Sequence, residues 1–172
     1  MLNVKHKTRA LTMSALVIAM YAAVMFATQK FAFMQYQIRL ATSLYCLSYL
    51  FPFLILPLGL SNFLSNALFG GLGLPDMLGG GIVGILTAGA VFLIRKFRMP
   101  KLLIIPAITL IPGLGAPIWL SPILGVPYGI LALSVCIGQL VPAVLGYLII
   151  IWLEPLGLNE KYIAGGKTND RK

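Results

Sequence analysis

Two ionisable side chains stand inside an otherwise apolar chain: Arg39, in FMQYQIRLA (33–41), and Asp76, in LGLPDMLGG (72–80). Charged groups within apolar segments are costly and usually mark binding sites or pathways. Amides accompany them. Gln37 lies two residues before Arg39, Asn62 and Asn66 are four apart and share one helix face, and Gln139 precedes the helix-kinking Pro142. Trp119 adds a flat ring with one N–H. A guanidinium only donates hydrogen bonds, a carboxylate only accepts them, and an amide does both. Such a set suits recognition of a small polar heterocycle. Gln37, Arg39, Asn66, Asp76 and Gln139 are the candidate ligand contacts, with Trp119 as a stacking or lid residue.

The same inventory speaks against bond-making chemistry. The single histidine, His6, lies close to the N-terminus, and no carboxylate pair falls in the apolar zone. There is no nucleophile beside a base, no metal-ligand spacing and no GxxxxGK[ST] loop. The expectation is a protein that is not an enzyme and uses no cofactor or metal. Each candidate also has a structural role open to it. Arg39 can anchor a helix end by snorkelling to headgroups, although a cation at a helix N-terminus opposes the dipole. Asp76 can cap a helix, the amides can glue helices, and Trp119, Tyr36, Tyr45 and Tyr128 can form an interfacial belt.

Elements must hold these residues in place, and composition says which kind. Of 172 residues, 59% are hydrophobic and 10% charged, with mean hydropathy +0.95. A globular domain carries about a quarter charged residues. Apolar runs of about 20 residues predict a polytopic all-α membrane protein in the lipid bilayer. Six transmembrane helices are expected, at 10–28, 40–56, 60–71, 76–95, from 101 with an interruption near Pro112, and 127–153. The basic start followed by a long apolar stretch reads as a retained first helix. The whole is one membrane domain (1–172), with an N-terminal segment 1–9, a six-helix core 10–153 and a tail 154–172.

The net charge of +9 comes from Lys5, Lys7 and Arg9, from Arg95, Lys96, Arg98 and Lys101, and from Lys161, Lys167, Arg171 and Lys172. Clusters at the ends of apolar segments are a topology signal, not a nucleic-acid surface. Six spans would put all three clusters, and both termini, on the cytoplasmic side of the cell membrane. The connections 29–39, 72–76 and 112–126 then face outward, the last rich in proline and glycine and expected to be irregular around a cavity. Ala15, Ala19 and Ala23 form one small-residue ladder, and Gly80 and Gly84 another, for close helix approach within the chain or to a partner. Cys46 and Cys136 read as buried, inert thiols.

Six short helices, a basic inner loop and no energising motif resemble the substrate-binding S components of energy-coupling factor (ECF) transporters. QIRLATSLYCLSYLFPF, SNALFGGLGLPDMLGG and YGILALSVCIGQLVPAVLGYLI are similar to the QueT group, linked to queuosine precursors. The resemblance implies capture of a 7-deazaguanine-type precursor or similar heterocycle. It also implies partners: a membrane T component driven by two ATPase subunits, docked on a ladder like Ala15, Ala19 and Ala23. Outer loops including 29–39 would gate the site, and the whole chain would topple to deliver its ligand. Other readings are an S component for another vitamin-like substrate, or an assembly subunit that transports nothing. The chain departs from the QueT pattern at two acidic positions, which are neutral here as Thr42 and Gln139. That departure predicts a ligand without a cation, or one whose cation is met by Asp76.

Overall fold

The computed structural model describes residues 4–34, 36–70 and 72–158, with the backbone alone at 4–6. The basic tail Lys161, Lys167, Arg171 and Lys172 lies outside the described residues. The helices are α1 (Val4–Ala32), α2 (Ile55–Ser65), α3 (Leu74–Lys96), α4 (Ile104–Gly115), α5 (Pro117–Leu124) and α6 (Tyr128–Leu153), with no strand among the described residues. The fold is all-α, and its apolar stretches make it a multi-pass membrane protein.

Five stretches are long and apolar enough to cross a bilayer: Lys7–Ala32, Pro52–Gly70, Leu74–Lys96, Lys101–Leu124 and Tyr128–Leu156. The expected second helix, 40–56, is not among them. Leu40–Tyr49 is a 3₁₀-helix of ten residues, and the chain breaks at Leu50–Phe51 before Pro52. Such runs rarely exceed four residues. Two features account for this one. Thr42, Ser43 and Ser48 bond back onto the carbonyls three residues earlier, at Arg39, Leu40 and Tyr45, which matches the tighter turn. A 3₁₀-helix also rises about 2.0 Å per residue against 1.5 Å for an α-helix, so ten residues reach about 20 Å. That reach is needed. The segment starts beside Arg39, which meets Asn66, and ends at Tyr49 and Leu50, whose carbonyls accept from Arg95 at the far end of α3. Residues Ala41–Tyr49 are all buried, so the segment is a central strut ringed by the other helices.

The turn between the second and third segments falls at 50–52, not near Pro57–Gly59. Pro57 is the third residue of α2, where its missing N–H had no helical partner to lose. The interruption expected at Pro112 is also absent. α4 continues through it, and the break comes at Ala116, before Pro117. Residues 112–124 are therefore helical, and α5 ends on Gly125, whose φ of 67° is a conformation that favours glycine. α2 and α3 pack closely because both carry glycine: a Cβ on Gly84 would lie 3.0 Å from the Gly59 Cα. The main core is built from Tyr21, Met25, Leu50, Leu54, Leu58, Ile104, Ile108 and Ile150, each almost fully buried.

Candidate functional site

Gln37, Arg39, Asn66, Asp76, Trp119 and Gln139 all line one cavity, at the end of the bundle away from Arg95. Arg39 is 7% exposed and Asp76 2%, so both charges are held out of water. Arg39 extends from the start of the strut. Its Nη1 donates to Asn66 Oδ1 at 2.9 Å and Asn62 Oδ1 at 3.1 Å, and its guanidinium lies over the Phe33 ring at 4.9 Å. The two amides can point only one way. Asn62 Nδ2 donates to the Gly80 carbonyl (2.7 Å) and Asn66 Nδ2 to the Asp76 carbonyl (2.8 Å). Carbonyls only accept and the guanidinium only donates, so each amide oxygen must face Arg39. The four-residue spacing of Asn62 and Asn66 builds this fork, in the last turns of α2 and the π-helical turn Asn66–Gly70 that follows.

Asp76 does not cap α3, as its position after Pro75 suggested. It sits in the first turn, where a negative charge complements the helix dipole, and its side chain makes no cap bond. Oδ1 instead accepts from Trp119 Nε1–H at 3.1 Å. The Trp119 ring lies flush on Gly79, where a Cβ would approach its carbons to 2.6 Å. Gln139 ties α6 to the segment before the strut. Its Nε2 donates to the Gln37 carbonyl at 3.0 Å, which turns Oε1 towards the Thr42 hydroxyl at 2.8 Å. That hydroxyl also lies 2.7 Å from the Arg39 carbonyl, so its one proton serves a single acceptor at a time. Gly138 is what lets this segment in. A Cβ there would sit 1.7 Å from the Tyr36 carbonyl oxygen. Gln37 itself has φ of 46°, uncommon for a side-chain-bearing residue.

Three lining residues with polar side chains, Thr42, Tyr45 and Asn62, were not among the candidates. Asn62 has the amide chemistry of Asn66 but is absent from the chosen contacts, and Thr42 stands out in the sequence only as a departure from the QueT pattern. Tyr45 read as an interfacial aromatic. It is fully buried, 3.3 Å hydroxyl to hydroxyl from Tyr21. No signal in the local pattern marks Thr42 or Tyr45, because every face of the strut is buried.

Arg39 and Asp76 form no direct ion pair, since Asn66 stands between them. Two buried atoms remain without partners on this cavity's charged residues: Arg39 Nε, a donor, and Asp76 Oδ2, an acceptor. Unpaired buried polar atoms are costly, and here one donor and one acceptor stand on the two charged residues of a single cavity. Its free volume is about 20 Å³, enough for one water. Among the described residues no three His, Cys, Asp or Glu side chains converge.

A protein-family model for the QueT transporter matches residues 11–155. The chain belongs to the QueT transporter family. No curated protein and no solved structure matches it. The family match includes every residue lining the cavity, and this QueT family member is a membrane transport protein. Ala15, Ala19 and Ala23 lie on the exposed face of α1, beside Leu11, Leu16, Met20 and Phe26. The ladder on α3 is used inside the chain instead, with Asn66 against Gly80 and Gly59 against Gly84.

Proposed function

We propose that this QueT family member is the substrate-capturing S component of an ECF-type importer, and that it takes a neutral heterocycle of the 7-deazaguanine type. The observation that carries the reading is the buried pair of unused atoms, Arg39 Nε and Asp76 Oδ2, within an amide-lined cavity. A 2-amino-4-oxopyrimidine edge presents an acceptor next to N–H donors, which is the complement of that pair. Gln37 and Gln139 supply further amides, and Trp119 closes over the site from α5.

Charge balance selects a neutral ligand. Among the described residues Asp76 is the only carboxylate lining the cavity and already offsets Arg39, while Thr42 and Gln139 meet each other as neutral partners. An added cation would be buried without a counter-charge. Room for one water does not admit a heterocycle, so entry requires Trp119 or the 33–39 segment to move. In this reading the cavity end faces outward and the Arg95 end faces the cytoplasm with both termini, as the positive-inside rule asks. The α1 face with Ala15, Ala19 and Ala23 docks on the T component, which two ATPase subunits drive.

An assembly subunit without a ligand would use the same residues as glue. The convergence of an unpaired donor and an unpaired acceptor from charged residues on one cavity favours the binding reading. Purification from the native host with mass spectrometry tests it. A retained heterocycle and copurifying ATPases are expected. Recovery of neither, with Arg39 and Gln139 substitutions that lower stability but leave uptake intact, would overturn the proposal.

A further inference from the structure

The Arg95 end of the bundle carries a second polar site, an open groove of about 810 Å³ lined by Tyr49, Arg95, Arg98, Lys101, Tyr147 and Glu154 among others. Its charges do not balance. Lys101 is paired with Glu154, the only carboxylate lining the groove among the described residues, which leaves Arg95 and Arg98 as excess cations among them. Arg95 is held in position. Its Nη1 donates to the Tyr49 and Leu50 carbonyls at 2.8 and 3.2 Å, and its guanidinium lies 5.5 Å from the Tyr49 ring centroid. Arg98 makes no side-chain hydrogen bond or ion pair with the described residues, and it is exposed.

Arg98 is also out of place by backbone rules. Phe97 N–H donates to Leu93 and Met99 N–H to Ile94, closing a helix C-terminal cap around it, and its φ is 54°. Glycine is the usual residue at such a left-handed position, because it alone escapes the Cβ penalty. An arginine there fixes a cation at the mouth of the groove at the expense of backbone ease.

The groove lies where α3 leaves the apolar zone, with the half-buried Tyr147 on its wall and the buried Tyr49 at its base. Phe97, Met99 and Leu102 stand exposed beside it, an apolar rim that acyl chains would cover. We infer that this groove binds the phosphate group of an anionic membrane lipid, with Arg98 and Arg95 as the main donors and Lys101 shared with Glu154. Arginine suits a phosphate because its planar fork matches two phosphate oxygens. The apolar rim favours a lipid headgroup over free phosphate. The inference rests on membrane embedding alone and is independent of what the chain transports.

The test is lipid retention by the full chain, purified in zwitterionic detergent and titrated with phosphatidylglycerol or phosphatidylcholine of matched acyl chains, read by native mass spectrometry. Phosphatidylglycerol should be retained about tenfold more tightly, because both lipids offer a phosphate but the choline ammonium of phosphatidylcholine is repelled by the groove's excess cations. Arg98→Gly should abolish that preference while its unfolding temperature without lipid is equal or higher, since the substitution relieves the backbone. Lys96→Gln removes the same charge from a lysine outside the groove, 5.9 Å from the Phe92 and Phe97 rings, and should change nothing. Equal retention of both lipids, or equal losses in Arg98→Gly and Lys96→Gln, would overturn the site. Stabilisation by inorganic phosphate matching that by phosphatidylglycerol would overturn the lipid assignment in favour of free phosphate.

Discussion

Arg39 concentrates the energetics of the site. It satisfies two amide oxygens and offsets Asp76, so removing it strands three buried groups at once. Arg39→Leu should lose ligand binding and lower stability by about 3–5 kcal/mol, the usual loss when one member of a buried charged set is removed. Thermal unfolding and a binding titration on the same preparation measure both. Gly138→Ala acts differently, because it removes no ligand-contacting side chain and works through the backbone of the 36–37 segment. Its Cβ would overlap the Tyr36 carbonyl and push the 36–37 segment off α6. Weakened binding of at least about tenfold is expected from the lost Gln139–Gln37 bond and displaced Gln37, with the bundle still folded. At this scale the sequence was informative where a residue type was out of keeping with its surroundings. Arg39, Asp76, Asn66 and Gln139 are polar among apolar neighbours, and all reach the cavity. Thr42 was not legible as a contact, because its partner Gln139 is 97 residues away and only the packing of α6 on the strut brings them together.

At the scale of elements, the strut and α5 are the parts that sequence reasoning placed least well. Periodicity reports which face of a segment is buried, and Leu40–Tyr49 is buried on every face. Nothing in its pattern distinguishes a 3₁₀-helix from an α-helix. Prolines misled in the opposite sense. Pro57 and Pro117 sit at helix starts that need no N–H from them, and Pro112 is accommodated within α4. The strut links the cavity to the groove at the Arg95 end, with Arg39 and Thr42 at one end and Tyr49 at the other. α5 is a short element between Ala116 and Gly125, and it carries Trp119 over Asp76. Gly79→Ala should displace that ring. Faster ligand exchange is predicted, with a stability loss of about 1–3 kcal/mol from overpacking. Stopped-flow quenching of tryptophan fluorescence measures the exchange, and an unchanged rate would show that Trp119 is not the lid.

For the molecule as a whole, five of the six expected spans are readable from hydropathy, while the expected second one, 40–56, is instead the buried 3₁₀ strut Leu40–Tyr49 followed by the start of α2. The exposed small-residue face of α1 was not readable, because a ladder serves an internal contact as well as a partner. Ala19→Trp should block assembly with the T component while ligand affinity is unchanged, checked by copurification and titration in parallel. Normal assembly would place the docking surface elsewhere. The central claim is that the cavity between Arg39 and Asp76 captures a neutral heterocycle. Calorimetric titration of the purified chain with a neutral and a cationic 7-deazaguanine tests it most directly. The account predicts that the neutral compound binds about tenfold or more tightly than the cationic one, since a second buried cation lacks a partner, and that Arg39→Leu abolishes binding. Preference for the cationic compound, surviving Asp76→Asn, would contradict it.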